Sequence, residues 1–531
     1  MARISAFPVE QFAGSELLLQ DLGFDSLMVT ELITALSRTW PRLVGRTADL
    51  PKRPTLHELV SEVSLVLGIA PYEQPAAVEP VVASATVATT GTASVGTAGT
   101  ASVSISTEVS LIAPDDVAPA VRPENGLAEL AEVVAFPARR AGFGRDPYFR
   151  VHEGNARDVT RVDGRELLSF ASYNYLGLSG HPKVNKTVIE AIKRYGTSVS
   201  ASRFLSGSRP IHDQLETRLS ALLGTEESLT MVSGHATNVS VIGHLVGPGD
   251  LIVHDELSHD SILQGCKLSG ATRRSFLHND AASLEAVLGR HRPLHRRCLV
   301  VIEGVYSMDG DIADLPAILD VKERFGALLM IDEAHSIGVV GPNGGGVGDH
   351  FGVDRSRVDI WVGTMSKSLA SCGGYVAGSH ALIDYLKYTT PGFVYSVGIT
   401  PANAAAALGA LTVMRDEPER LARLAENSRL FLKLAREAGV NTGTSADSAV
   451  VPCIIGESRS CLELAHSLFD RGISVDPIMY PGVPDELARL RFFLTSEHTP
   501  VQLERTIEIL GEELDRLGVT RLGRVLATAG A

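Results

Sequence analysis

Three short apolar runs, CLVVIEG (298–304), ALLMIDEAH (327–335) and VDIWVGT (358–364), are separated by helix-length amphipathic stretches. This alternation constrains the fold more than any other feature. A run of five or six apolar residues with no polar alternation is a strand covered on both faces, and the intervening helices supply the cover. The expected architecture is α/β, a mostly parallel sheet with helices on both sides. Functional side chains should then gather beyond the carboxyl ends of its strands. After about residue 405, long helical patterns alternate with VVPCIIG, ISVDPIM and LRFFLTS, which predicts a smaller α+β domain over 405–531.

The first 120 residues read differently. Val29, Leu32, Ile33 and Leu36 share one helical face, and PTLHELVSEVSLVLG predicts a second short helix closed by Gly68. Residues 1–70 therefore form a small helical segment. From Pro80 to Thr107 no residue is charged, and GTASV occurs at 91–95 and again at 99–103. With no period and little large apolar surface, 71–120 reads as a flexible linker with an r.m.s. span of about 40 Å. A β-rich edge segment is the alternative. The large domain follows over 121–404.

A net charge of −14 disfavours a nucleic-acid surface, and the six Lys/Arg of residues 1–70 are scattered rather than clustered. Five widely spaced cysteines match neither a disulfide framework nor a zinc site, and suit a reducing cytoplasm. No metal is expected. No apolar leader opens the chain, and no uninterrupted apolar run reaches membrane-spanning length.

Lys367 lies just past the strand VDIWVGT. Such a lysine can be a surface residue with its ammonium in water. Partly desolvated, it has a lowered pKa and can form a Schiff base. Asp332 ends the run LLMID, where a buried carboxylate needs a positive partner, and a protonated pyridine nitrogen would serve. In TMVSGHATNVSVIG a strand turns through Gly234 into a helix whose free N–H groups suit a phosphate, and Thr364 could add a hydroxyl. These features converge on pyridoxal phosphate.

Together the segments SYNYLGLSGHP (172–182), GSRPIHDQLE (207–216), SGHATN (233–238), HDELSHDSI (254–262), EGVYSMDGDI (303–312), IDEAHSIGVVG (331–341), GTMSKSLASCGGY (363–375) and RLRFFLTSEHT (489–499) resemble the α-oxoamine synthases. These pyridoxal-phosphate enzymes have the aspartate-aminotransferase-like fold. The resemblance implies that Lys367 is the Schiff-base lysine and general base, Asp332 the pyridinium partner and His259 the imidazole stacked on the cofactor. It places Ser307 and His335 near the ring hydroxyl, and Gly234, His235 and Thr364 at the phosphate. It assigns Arg491, Tyr173 and Asn174 to substrate. Read singly, His259 could be a core histidine, Ser307 a turn residue and Arg491 half of a surface ion pair.

Tyr173 stands where several members carry Asn, and is similar to the serine palmitoyltransferases and to synthase domains fused to polyketide synthases. His235 replaces the usual aromatic residue. The implied reaction joins an amino acid, serine before alanine or glycine, to an acyl thioester and releases CO2 to give an α-amino ketone. The family also implies a homodimer.

Ser26 follows Asp25 at the head of a helical pattern and could be an ordinary N-cap. The longer LGFDSLMVTEL resembles the segment of carrier proteins that bears 4′-phosphopantetheine on this serine. Only 25 residues precede Ser26, so much of the usual first helix is missing. A tethered carrier would make delivery of the thioester intramolecular. The expected role is then release of a polyketide from upstream synthase modules. The alternatives are a synthase acting on free acyl-CoA and a catalytically silent carrier or scaffold subunit.

Overall fold

The computed structural model describes residues 126–141, 144–480 and 482–522. The carrier-like segment, Ser26 and the linker lie outside the described residues. Residues 126–141 hold a short 3-10 turn, Gly126–Glu129, and one helix, Ala131–Ala141.

From Pro147 onward the chain forms a separate compact unit. It opens with a hairpin of β1 (Val159–Val162) and β2 (Arg165–Ser169). Asp163 and Gly164 make the two-residue turn, with φ of 51° and 72°. Positive φ at both positions is the geometry an Asp-Gly pair accepts readily.

The central sheet takes β3 (Glu227–Met231), β4 (Leu251–Asp255), β5 (Thr272–Phe276), β6 (Cys298–Glu303), β7 (Leu328–Asp332), β8 (Ile360–Thr364) and β9 (Gly374–Gly378). Their order is β3-β9-β8-β7-β6-β4-β5. The three apolar runs that defined the fold class are its adjacent members β6, β7 and β8. Every residue of β4 and β6 is buried. Ile252, Leu299, Val301 and Val362 pack there against Ile242 and Ile262 of the covering helices.

One strand breaks the parallel rule. β9 runs antiparallel to both β8 and β3. The loop from β8 to β9 is too short for a crossover, so the chain must double back. β3, β4, β6, β7 and β8 nevertheless all end at one edge of the sheet, where β9 begins.

The smaller lobe carries β10 (Val450–Gly456), β11 (Ile473–Ser474), β12 (Asp476–Ile478) and β13 (Ala488–Phe493). The stretch ISVDPIM is not one strand. β11 pairs with β2 and β12 pairs with β13, so the chain changes sheets at Val475. Each half satisfies its backbone on a different partner, which ties the N-terminal hairpin to this lobe. No helix among the described residues is long and apolar enough to cross a membrane.

Candidate active site

β3 runs through Ser233 into the helix Gly234–Leu245, and the Ser233 side chain caps it by accepting from the Ala236 N–H. A Cβ at Gly234 would sit 2.7 Å from the Thr364 Cβ. Glycine is therefore required where the helix start meets the end of β8. Thr364 keeps its hydroxyl at this junction, 2.7 Å from Ser366 Oγ. The free N–H groups of a helix start, a bare glycine and a hydroxyl together form a cradle for an anion. His235 lies at its rim, half exposed, with Nε2 3.8 Å from Asp260 Oδ2.

Asp332 ends β7 and is buried. Its oxygens accept from Asn238 Nδ2 at 2.6 Å and from the Ala334 N–H at 2.9 Å. Neither donor is cationic, so a buried carboxylate faces the cavity without an ion pair among the described residues. Asn238 also donates to Ser261 Oγ at 2.9 Å.

Lys367 follows β8 and shares this cavity. Burial lowers its pKa to about 8, although the charge of Asp332 pulls the other way. About a tenth is thus free amine at pH 7, far more than an ordinary lysine would have. The ammonium nitrogen lies 5.8 Å from the centre of the Tyr173 ring.

His259 caps the helix Asp260–Ser269. Its Nδ1 accepts from the Ser261 N–H at 3.3 Å and stands 2.8 Å from Ser261 Oγ. Burial lowers its pKa, so the ring is neutral with its proton on Nε2. The His259 backbone N–H donates to Glu303 Oε1 at 2.7 Å. His335 is held by the Tyr175 hydroxyl, 2.7 Å from Nδ1, and burial keeps it neutral as well.

Arg491 comes from β13. Its Nη1 donates to the Ser307 carbonyl at 3.0 Å, and its buried Nε has no partner among the described residues. A guanidinium with an unused buried donor fits a carboxylate ligand. Its central carbon lies 4.7 Å from the Phe493 ring centre, and the Tyr173 ring meets Phe493 edge-on at 4.7 Å.

All the residues selected from sequence, apart from Asn174 and Ser26, line this one cavity of about 280 Å³. Asn174 has another occupation. Its side-chain oxygen accepts from the Leu178 and Ser179 N–H groups, and its amide donates to the Ala156 carbonyl at 2.6 Å. It closes the turn that presents Tyr173. Among the wall residues that escaped the sequence reading, Asn238 and Glu303 bear most on the chemistry. Glu303 had a legible signal, since CLVVIE ends in a carboxylate just as LLMID does. Asn238 had only its place one turn into the SGHATN helix.

The donor set fits pyridoxal phosphate: an anion cradle at Gly234, a lysine of lowered pKa and a buried carboxylate without a cation. These features on this sheet define a pyridoxal-phosphate enzyme of aminotransferase architecture. The family described as "Aminotransferase class I and II" matches residues 165–510. The chain is 38% identical to the 8-amino-7-oxononanoate synthase of Thermoanaerobacter pseudethanolicus over 357 residues, 67% of this chain and 90% of that enzyme. It is 37% identical to the serine palmitoyltransferase of Bacteroides ovatus over 374 residues, 70% of this chain and 94% of that enzyme. The solved structure of the serine palmitoyltransferase of Sphingomonas wittichii superimposes with a TM-score of 0.70 at 31% identity, covering 74% of this chain and 99% of that one. The chain belongs to the class I and II aminotransferase family and, within it, to the α-oxoamine synthases.

Proposed function

We propose that this cavity condenses an amino acid with an acyl-CoA thioester, releasing CoA and CO2 and forming an α-amino ketone. The relatives named above support this form better than the carrier-bound polyketide release favoured by the sequence. One observation carries the reading: Lys367, Asp332 and Arg491, from three separate elements, face a single cavity.

Bound pyridoxal phosphate supplies a protonated pyridine ring that takes up the electron pair left at the amino-acid α-carbon. The protein does the rest. The Gly234 and His235 N–H groups and the Thr364 hydroxyl hold the phosphate. Asp332, aimed by Asn238 and the Ala334 N–H, keeps the pyridine nitrogen protonated. His259 and His335 are neutral, so they pack against the cofactor and hydrogen-bond to it without adding positive charge. Ser307 joins His335 at the ring hydroxyl. Lys367 anchors the cofactor, and its free amine then removes the α-proton. Arg491 grips the amino-acid carboxylate through Nε and an Nη donor. Tyr173 stands over Lys367 and favours serine, ahead of alanine or glycine.

A homodimer accompanies this reading. Phe204, Leu205, Tyr388 and Tyr395 are 45%, 78%, 66% and 86% exposed, and the Phe204 and Tyr388 rings meet at 5.9 Å. An exposed aromatic cluster of this kind suits burial by a second copy.

The test is absorbance of the cofactor-loaded protein titrated separately with serine, alanine and glycine, then acyl-CoA with free thiol and CO2 measured. Saturable change with serine and equimolar release support the reading. Thiol release without CO2 would reduce the protein to a thioesterase.

A second reading keeps the carrier, on the strength of LGFDSLMVTEL around Ser26. Residues 1–70 then present the thioester through the 71–120 linker. Treatment with a phosphopantetheinyl transferase and CoA should add one phosphopantetheine mass, lost in Ser26→Ala. An unchanged mass sinks it.

A further inference from the structure

A second chamber, of about 390 Å³, adjoins the catalytic cavity and shares Tyr173, Ser366 and Lys367 with it. It is lined by the segment around His152, the β1–β2 hairpin, the turn after β2, the loop after β8 and the start of β12. Its walls are unlike those of a lipid slot. Tyr173 is the only large apolar side chain among them, and no Leu, Ile, Val, Met or Phe contributes. His152, Thr160, Ser169 and Ser172 supply polar atoms, with glycine and alanine between them.

Asp476 is the distinctive member. It opens β12 opposite Arg491 of β13 and lines the chamber. Burial raises its pKa above the ordinary carboxylate value, against the charges of Arg150, His152 and Arg491. His152 is engaged, with Nδ1 2.9 Å from Thr160 Oγ1. The chamber therefore sets one carboxyl acceptor in a wall otherwise made mostly of hydroxyls, amides and small side chains. An alkyl chain entering it would displace water from hydroxyls and a carboxyl while gaining few apolar contacts. A chain bearing a hydroxyl or amide N–H would satisfy Asp476.

We propose that this chamber is the acyl subsite, and that Asp476 selects an acyl chain carrying a hydroxyl or amide N–H donor over a saturated alkyl chain. The inference rests on the condensation proposed above, since it assigns the second substrate of that reaction.

The experiment measures binding to the cofactor-loaded protein by calorimetry. The probes are length-matched, non-reactive S-alkyl-CoA thioethers with and without a mid-chain hydroxyl. Wild type should bind the hydroxylated probe about tenfold more tightly, the ratio expected of one hydrogen bond to a charged acceptor. Asp476→Leu should erase that ratio, and Asp476→Asn should restore part of it. The serine-induced absorbance change reports that each variant is intact, and if the Leu variant fails to fold, the wild-type and Asn ratios decide. Equal affinities in wild type, or a preference unchanged in Asp476→Leu, overturn the proposal. N-acetylcysteamine thioethers separate the acyl chain from the pantetheine arm: a preference retained on them supports an acyl subsite, and one lost on them overturns it. Discrimination in binding without any condensation would leave the subsite standing and defeat the function.

Discussion

Glu303 and Asp332 stand opposite each other at the ends of the neighbouring parallel strands β6 and β7. Two buried carboxyl groups at adjacent strand ends resist carrying charge together. The structure divides the roles. Asp332 takes the Asn238 and Ala334 donors, while burial first, and then the Asp332 charge, push the Glu303 pKa up to about 8. Glu303 is the neutral partner at neutral pH.

Stability should record this. Between the ordinary glutamate value of 4.5 and about 8, the folded protein keeps a proton that the unfolded chain has lost. Stability then falls as pH rises through that window, and levels off above it. Glu303→Gln removes the titration, so wild type should lose stability relative to the variant by an amount on the order of a few kcal/mol. Denaturant unfolding of both proteins from about pH 5 to about pH 9 measures the difference. Parallel curves would show that Glu303 does not titrate there.

Asn238 is the side chain that aims Asp332. Asn238→Ala leaves the buried carboxylate one donor short, a loss of about 1–3 kcal/mol. Pyridoxal phosphate should bind about tenfold or more weakly, as read by equilibrium dialysis. Unchanged affinity would mean that the Ala334 N–H suffices to hold Asp332.

Lys367→Ala should abolish the visible band of the lysine-linked cofactor and reduce condensation by about 10³-fold or more. A small external amine such as methylamine should restore part of the activity by occupying the vacated space. A variant that keeps the band would move the anchoring role to another residue.

Arg491→Lys retains charge but loses the two-donor fork. The KM for the amino acid should rise about tenfold or more, with kcat less affected. Steady-state kinetics with serine tests this. A fall in kcat at constant KM would place Arg491 in the chemistry instead.

Much of the site was legible because its residues occupy strand ends and helix starts. Lys367, Asp332 and Thr364 each end or follow an apolar run, and Gly234 sits where a strand turns into a helix. Such positions can be read along the chain. Asn238 was not legible, because its importance arises from a hydrogen bond to Asp332, 94 residues away. Asn174, next to Tyr173 in sequence, holds the backbone of its own turn and lines the second chamber rather than the first. Asp476 lay within a stretch that reads as a single strand, and only the change of sheets at Val475 brings it beside the second chamber.

The sequence by itself determined the fold class, the order of the central strands along the chain and the residues that mark the catalytic edge. Those follow from local patterning, where an apolar run either has the right length and neighbours or does not. The tertiary structure decided which strands are neighbours, the reversal of β9, the protonation of Glu303 and the polar lining of the second chamber. Each depends on groups distant in sequence meeting at hydrogen-bond range, and the strength of those contacts comes from burial that no local stretch possesses on its own.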